Sequence, residues 1–385
     1  MLFDGLKPQA PDALLALIGM FAADPRADKI DLGVGVYRDE AGGTPVFRAV
    51  KSAEARLVET QTSKSYLGPE GDVRFTELLK PIVFGNKFDA KSVVGIQTPG
   101  GTGALRLAAE LIAAAKPGSK VWIGTPTWPN HPPVFASANL KIETYRYFDQ
   151  ASQTILFDEM MDALGRAEAG DVILLHGCCH NPTGANLSGL QWAGVAEVIG
   201  ERGLIPLVDL AYQGLGEGLE GDSAGLRMVL ETAGDVITAF SCDKNFGLYR
   251  DRVGALYVRS QKNELVLSNM LSLARPNWSM PPDHGAAVVR TILDDAGMTA
   301  EWKKELASMR IRIAEVRKAL AAGDSFLAPQ EKQQGMFSLL PISGEQVATL
   351  RKDHGIYMAG SGRANLAGLT LKTVPKFIEA LKSVR

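Results

Sequence analysis

The stretch "DVITAFSCDKNFGLYRDRVGALYV" (Asp235–Val258) sets two apolar runs on either side of a short polar loop. Val236–Phe240 and Val253–Val258 are apolar almost throughout, so each reads as a strand covered on both faces. Lys244 leaves the first of these strands, with Asp243 immediately before it. A lysine at a strand end is often no more than a solvated cap, so its meaning depends on what else reaches the same sheet edge. Three further runs share the pattern: "KVWIGTP" (Lys120–Pro126), "DVILLHG" (Asp171–Gly177) and "LIPLVDLAY" (Leu204–Tyr212). Most of the intervals between them suit crossover helices, which predicts a mostly parallel sheet with helices on both faces.

The chain has 385 residues, 46% hydrophobic and 22% charged, with a net charge of -2. This is the balance of a soluble globular protein, and it offers no electrostatic footprint for nucleic acid. Asp4, Pro8, Pro11 and Asp12 interrupt the apolar core a signal peptide would need, and no run reaches the ~18 apolar residues of a membrane span. Cys178, Cys179 and Cys242 give no framework of paired bridges and read as reduced thiols, so a cytoplasmic location is expected. "CCH" (Cys178–His180) lacks the spaced partners of a zinc site, and no metal is expected.

Toward the C-terminus, Trp302, Leu306, Met309, Ile313, Val316 and Leu320 recur at spacings of four and three, which predicts one long amphipathic helix. Beyond it, "GMFSLL" and "GEQVATLRKDHGIYMAG" read as strand, helix, strand. The expected organisation is an N-terminal arm (1–14), a large domain (47–309) and a smaller α/β domain (15–46 and 310–385) hinged on the long helix.

"TPGGTGALRLAAELIAAA" (Thr98–Ala115) puts a glycine-rich turn before an alanine-rich helix. The backbone N–H groups of such a helix start, with the Thr102 hydroxyl, form a phosphate-sized anion site. It is neither a Walker motif nor a dinucleotide fingerprint, since Arg106 stands at the last glycine position of the latter. Asp209, Asn181 and Lys244 each follow an apolar run, and the carboxyl ends of parallel strands converge at one edge. A lysine, an aspartate and a phosphate cradle at one edge are what pyridoxal phosphate requires. The lysine bonds its aldehyde, and the aspartate keeps its ring nitrogen protonated.

Taken together, "KIDLGVGVYRDE" (29–40), "SKSYLGPEG" (63–71), "GGTGALR" (100–106), "TPTWPNH" (125–131), "HNPTG" (180–184), "DLAYQG" (209–214), "SxxKNFGLYxxRxG" (241–254) and "SGRANLAG" (361–368) resemble the aspartate and aromatic amino acid aminotransferases of fold type I. The likeness spans nearly the whole chain. It implies a seven-stranded, mostly parallel sheet and pyridoxal 5′-phosphate as cofactor. By this resemblance Lys244 carries the cofactor, Asp209 partners its ring nitrogen, and Asn181 and Tyr212 hold its phenolic oxygen. Trp128 stacks on the ring. Gly101, Thr102, Ser241 and Arg252 hold the phosphate, with Tyr66 arriving from the other subunit of a homodimer with shared sites. His131 and His176 orient Asp209 from behind, and the bonds before Pro126 and Pro182 are candidates for the cis form.

For the substrate, the resemblance implies Arg363 for the α-carboxylate, helped by Gly35 and Asn181, with Phe337 and Trp128 nearby. Arg275, across the dimer, pairs with a side-chain carboxylate. The implied reaction is ping-pong transfer from an amino acid to a 2-oxo acid, most naturally 2-oxoglutarate. Ser65, Trp278 and Met280 replace the asparagine, tyrosine and asparagine common in aspartate-selective members, which favours an aromatic substrate with retained dicarboxylate activity. A narrow aspartate aminotransferase and a non-catalytic cofactor-binding relative are the alternatives. Two departures stand out. The segment before "GMFSLL" is shorter than usual, and Asp243 replaces a serine or threonine. Asp243 either turns away to pair with Arg250 or Arg252, or faces the cofactor and weakens phosphate binding.

Overall fold

The computed structural model describes residues 1–8, 13–86 and 88–385. Residues 9–12 of the expected N-terminal arm lie outside the described residues. Seven strands form the central sheet: β1 (Val93–Pro99), β2 (Lys120–Thr125), β3 (Lys141–Arg146), β4 (Val172–His176), β5 (Ile205–Leu210), β6 (Val236–Ser241) and β7 (Val253–Arg259). Their order is β1-β7-β6-β5-β4-β2-β3, and β7 alone runs against its neighbours.

Alternation along the central strands explains the continuous apolar runs. Ile173, Leu175, Val208, Leu210 and Phe240 enter one core. Val172, Leu174, Leu207, Ile237 and Ala239 enter another on the opposite face. All six residues of β6 are buried, and each large apolar side chain so placed contributes about 1.5–3 kcal/mol. The edge strand β3 lacks this pattern: it buries Tyr145 and exposes Lys141, Glu143, Thr144 and Arg146. Helix α1 (Gly100–Ala115) covers the second core with Ala104, Leu105, Ala108, Leu111 and Ile112.

Helix α2 (Ala296–Gly323) is the long helix expected, and its 28 residues bury the predicted stripe. Trp302, Leu306, Met309 and Ile313 belong to the first sheet core. Val316 and Leu320 belong to a third core built from Ile30, Leu32, Leu350, Phe377 and Leu381. The third core carries two short ribbons. Ile30–Asp31 pairs in parallel with Ile356–Tyr357, and Phe337–Leu339 pairs antiparallel with Arg363–Asn365. The strand, helix, strand reading therefore holds, although its two strands join different ribbons.

Arg317 lies on the buried stripe of α2. Its guanidinium donates to the carbonyls of Gln334 (3.2 Å), Gly335 (3.0 and 2.9 Å) and Phe337 (2.5 Å), and to Gln330 Oε1 (3.0 Å). The short segment before Phe337 forms a 3-10 helix, Ser325–Glu331, and runs on around this cation. No helix among the described residues is long and apolar enough to cross a membrane.

Candidate active site

The parallel strands β1, β2, β4, β5 and β6 present their carboxyl ends at one edge, and β7 begins there because it is antiparallel. The pairings Gly254 with Ser241, Val253 with Pro99, and His176 with Asp209 fix this alignment. The reversal of β7 returns Arg252 to the edge that Lys244 leaves. The cleft above is lined by Gly101, Thr102, Trp128, Asn181, Asp209, Tyr212, Ser241, Asp243 and Lys244 among others.

At one end, α1 opens directly from β1. Gly100 has φ 70°, and a Cβ there would stand 2.6 Å from Arg252 Nη2. A Cβ on Gly101 would stand 3.1 Å from that of Ser241. Only glycines let the helix start approach Ser241 and Arg252 this closely, and the result is a concave anion cradle at the positive end of the helix.

At the other end, Asp209 Oδ2 lies 3.1 Å from His131 Nε2. His131 Nδ1 is 2.7 Å from Thr127 Oγ1, which lies 3.1 Å from His176 Nε2. An ionised Asp209 accepts, so the proton sits on His131 Nε2. For a neutral His131 the Thr127 hydroxyl then donates to Nδ1 and accepts from His176. His176 thus reaches Asp209 through Thr127 and His131 and makes no direct hydrogen bond to it among the described residues. His180 continues the column, its ring 4.0 Å from that of His176. Burial alone would push the Asp209 carboxyl up, but the hydrogen bond and charge of His131, with His176 and Lys244, bring it below the ordinary range. Burial pulls His176 down to about 3 and His180 well below its ordinary value, so both are neutral near pH 7.

Between the ends, Asn181 Nδ2 donates to the Tyr212 hydroxyl at 3.2 Å, while the buried Asn181 Oδ1 has no hydrogen-bond partner. Burial raises the Tyr212 phenol, Asp209 adds to this and Arg363 opposes it. The Lys244 ammonium lies 5.2 Å from the Tyr212 ring centre and 3.7 Å from Asp243 Oδ2. Burial lowers its pKa, against the opposing pull of Asp243 and Asp209. The loop after Lys244 is pinned by a residue that the motifs do not contain. Trp302 stacks on Phe246 at 4.3 Å and donates to the Asn245 carbonyl at 2.7 Å.

Arg363 is buried beside the cleft, not in its lining. It donates to the Gly33 carbonyl at 2.8 Å and lies 4.9 Å from the Phe337 ring, which meets Tyr212 edge-on at 5.8 Å. A Cβ on Gly35 would touch Phe337 at 3.0 Å. Tyr66 is 93% exposed, Arg275 is also exposed and bonded to Ser279, and neither lines the cleft of its own chain. The peptide bonds before Pro126 and Pro182 are cis. Cys178, Cys179 and Asp222 bring ligand-type atoms within 4.8 Å of one another. Asp222, however, already accepts from the N–H groups of Gly214, Gly216 and Glu217, so it anchors the loop beyond Tyr212.

The family model of aminotransferase class I and II matches residues 27–381. The chain belongs to this family. It is 54% identical over 375 residues to a tyrosine aminotransferase of Rhizobium meliloti, covering 96% of each chain. To an aspartate aminotransferase of Escherichia coli it is 42% identical over 398 residues, covering both chains completely. Among solved structures, an aromatic-amino-acid aminotransferase from Burkholderia pseudomallei, covalently bound to pyridoxal phosphate, superposes with a TM-score of 0.96 at 36% identity, covering 100% of this chain and 99% of that one. The chain is therefore an enzyme, a transaminase, and its class depends on pyridoxal phosphate. Trp302 and Arg317 support the aminotransferase's site from outside the motifs, and Thr127 does so from within one without being singled out there. Arg317 carries a legible signal, falling four residues after Ile313 on the apolar stripe of α2.

Proposed function

We propose that this aminotransferase uses pyridoxal 5′-phosphate to transfer the amino group of aromatic and dicarboxylic L-amino acids to 2-oxoglutarate. The observation that carries the reading is the convergence, in one cleft, of a lysine, a histidine-backed aspartate and a helix-start anion cradle. Three features fit the cofactor. Glycines keep the cradle open beside Ser241 and Arg252, Asp209 is held below the ordinary carboxylate range, and the buried Asn181 Oδ1 lacks a partner.

When bound, the cofactor supplies an aldehyde that exchanges amino groups and a ring that takes up electrons from a broken Cα–H bond. Gly101, Thr102, Ser241 and Arg252 would hold its phosphate, Asp209 its ring nitrogen, Asn181 and Tyr212 its phenolic oxygen, and Trp128 one face of the ring. Lys244 would carry the aldehyde and, once displaced, take the proton from the substrate Cα. Burial lowers the pKa of Lys244, which favours the neutral amine that such a base requires. The proton on His131 Nε2 keeps Asp209 an acceptor, so Asp209 stays an anion throughout. Arg363, braced by Gly33 and Phe337, would fork onto the α-carboxylate.

In a homodimer, the exposed Tyr66 and Arg275 would complete the partner's site. The small domain (15–46 and 310–385) would close about α2, which already shares its buried stripe between two cores. The weak polar support of Arg275 favours aromatic substrates beside dicarboxylates. Its hydrogen bond among the described residues is to Ser279, while Met280 accepts from the Leu67 N–H and Ser65 pairs with Ser63. The higher identity to a tyrosine than to an aspartate aminotransferase points the same way. Steady-state kinetics with 2-oxoglutarate as acceptor test the reading. Phenylalanine and tyrosine should approach aspartate in kcat/KM, and a deficit of about a thousandfold or more would mean a narrow aspartate enzyme.

A further inference from the structure

Asp243 stands where the cradle for an anion should be cationic. It is 6% exposed and lines the cleft. Its Oδ2 takes a hydrogen bond from Arg252 Nη1 at 2.8 Å and lies 3.7 Å from Lys244 Nζ. Its Oδ1 is buried and has no hydrogen-bond partner. Arg250 does not take up this carboxylate; Arg252 does. The Arg252 Nη1 that meets Asp243 is also held by the Tyr249 carbonyl at 2.8 Å, which turns the guanidinium toward the carboxylate. Asp243 N in turn donates to Ser241 Oγ at 3.2 Å, so the acid is tied to the cradle wall. Turning away and facing the site are thus not alternatives, because the side chain does both.

We propose that Asp243 is a built-in counter-ion of the phosphate cradle, a positioning residue that competes with the cofactor's phosphate for Arg252. The inference rests on the pyridoxal phosphate reading above. One oxygen already neutralises Arg252, and the second is buried at the cleft wall with no donor to offset its charge. A phosphate dianion therefore meets less positive charge than the arginine and lysine alone would present. The cofactor is held less firmly and exchanges more readily than in a cradle with a neutral side chain at this position. A unit charge at ion-pair range in surroundings of intermediate dielectric changes an affinity by about tenfold to a hundredfold.

The test is equilibrium binding of pyridoxal 5′-phosphate, pyridoxal and inorganic phosphate to the cofactor-stripped full chain, read by tryptophan fluorescence. Wild type, Asp243→Asn and Asp243→Ser are compared. Both variants should bind inorganic phosphate more tightly, and the ratio of pyridoxal 5′-phosphate to pyridoxal affinity should rise by about tenfold or more. A purely structural role would move both aldehydes together. An unchanged or lowered ratio, with all three chains binding pyridoxal 5′-phosphate, would overturn the counter-ion and leave the cofactor reading standing. Failure of all three chains to bind pyridoxal 5′-phosphate would overturn the cofactor reading and the counter-ion with it. Retained pyridoxal binding and far-UV circular dichroism report that a variant is folded, and Asp243→Ser serves if Asp243→Asn does not fold.

Discussion

Replacing Arg317 by methionine keeps the length of the side chain and removes the cation around which residues 330–337 are arranged. The wild-type guanidinium makes five hydrogen bonds, three of them from the same nitrogen. Counting the shared ones as about four in effect, at the low end of charge-assisted bonds, gives roughly 6 kcal/mol. Against this stands desolvation. Burial brings the guanidinium from its ordinary value to about 10, which costs about 3 kcal/mol at ~1.4 kcal/mol per tenfold. The net loss expected on Arg317→Met is about 3 kcal/mol. For a chain of 385 residues, an unfolding entropy of about 2.1 cal/mol/K per residue converts this to a Tm lowered by roughly 4 °C. Differential scanning calorimetry measures it, with Lys318→Met on the exposed face of the same helix as control. Because Arg317 also grips the Phe337 carbonyl, and Phe337 braces Arg363, KM for the amino acid should rise. A Tm equal to or above wild type would refute the reasoning, since desolvation would then cancel the hydrogen bonds completely.

Trp302→Phe leaves the Asn245 carbonyl without its indole donor and should cost about 1–3 kcal/mol, with weaker cofactor binding as the Lys244 loop loosens; urea melts and a binding titration check both. The pH dependence follows from His176. Burial holds its folded pKa near 3 while the unfolded chain takes a proton near 6.5, so its contribution makes stability climb as pH rises between these values and level off above 6.5. His176→Gln should therefore flatten the stability curve between pH 4 and 6 by up to about 1.4 kcal/mol per pH unit. Arg275→Ala should lower kcat/KM for aspartate about a hundredfold and for phenylalanine less than about threefold, as expected when a single charge-paired contact is lost.

The motif residues were legible because they follow strands whose apolar runs announce them. Lys244 follows β6, Asp209 is the penultimate residue of β5, and the glycines of Gly100–Gly103 open α1 directly after β1. Once those strands are parallel, their ends must meet. The edge strand β3 was less visible because it is half polar, so periodicity had little to hold. Thr127 lay within a quoted motif, yet its place as the bridge from His131 to His176 depends on how β2 and β4 sit side by side, which no local pattern encodes. Trp302 read correctly as core, but its grip on Asn245 pairs residues 57 apart. The placement of Asp243 could not be derived from sequence, since the loop conformation decides whether one carboxylate serves the arginine, the lysine or the cleft.

The most direct test of the account is borohydride reduction of the chain loaded with pyridoxal 5′-phosphate, followed by peptide mass analysis. The account predicts the reduced cofactor on Lys244, in the peptide containing "SCDKNFGLYR", and loss of labelling when phenylalanine is added before reduction. Labelling on another lysine, or labelling of Lys244 that phenylalanine does not diminish, would contradict it.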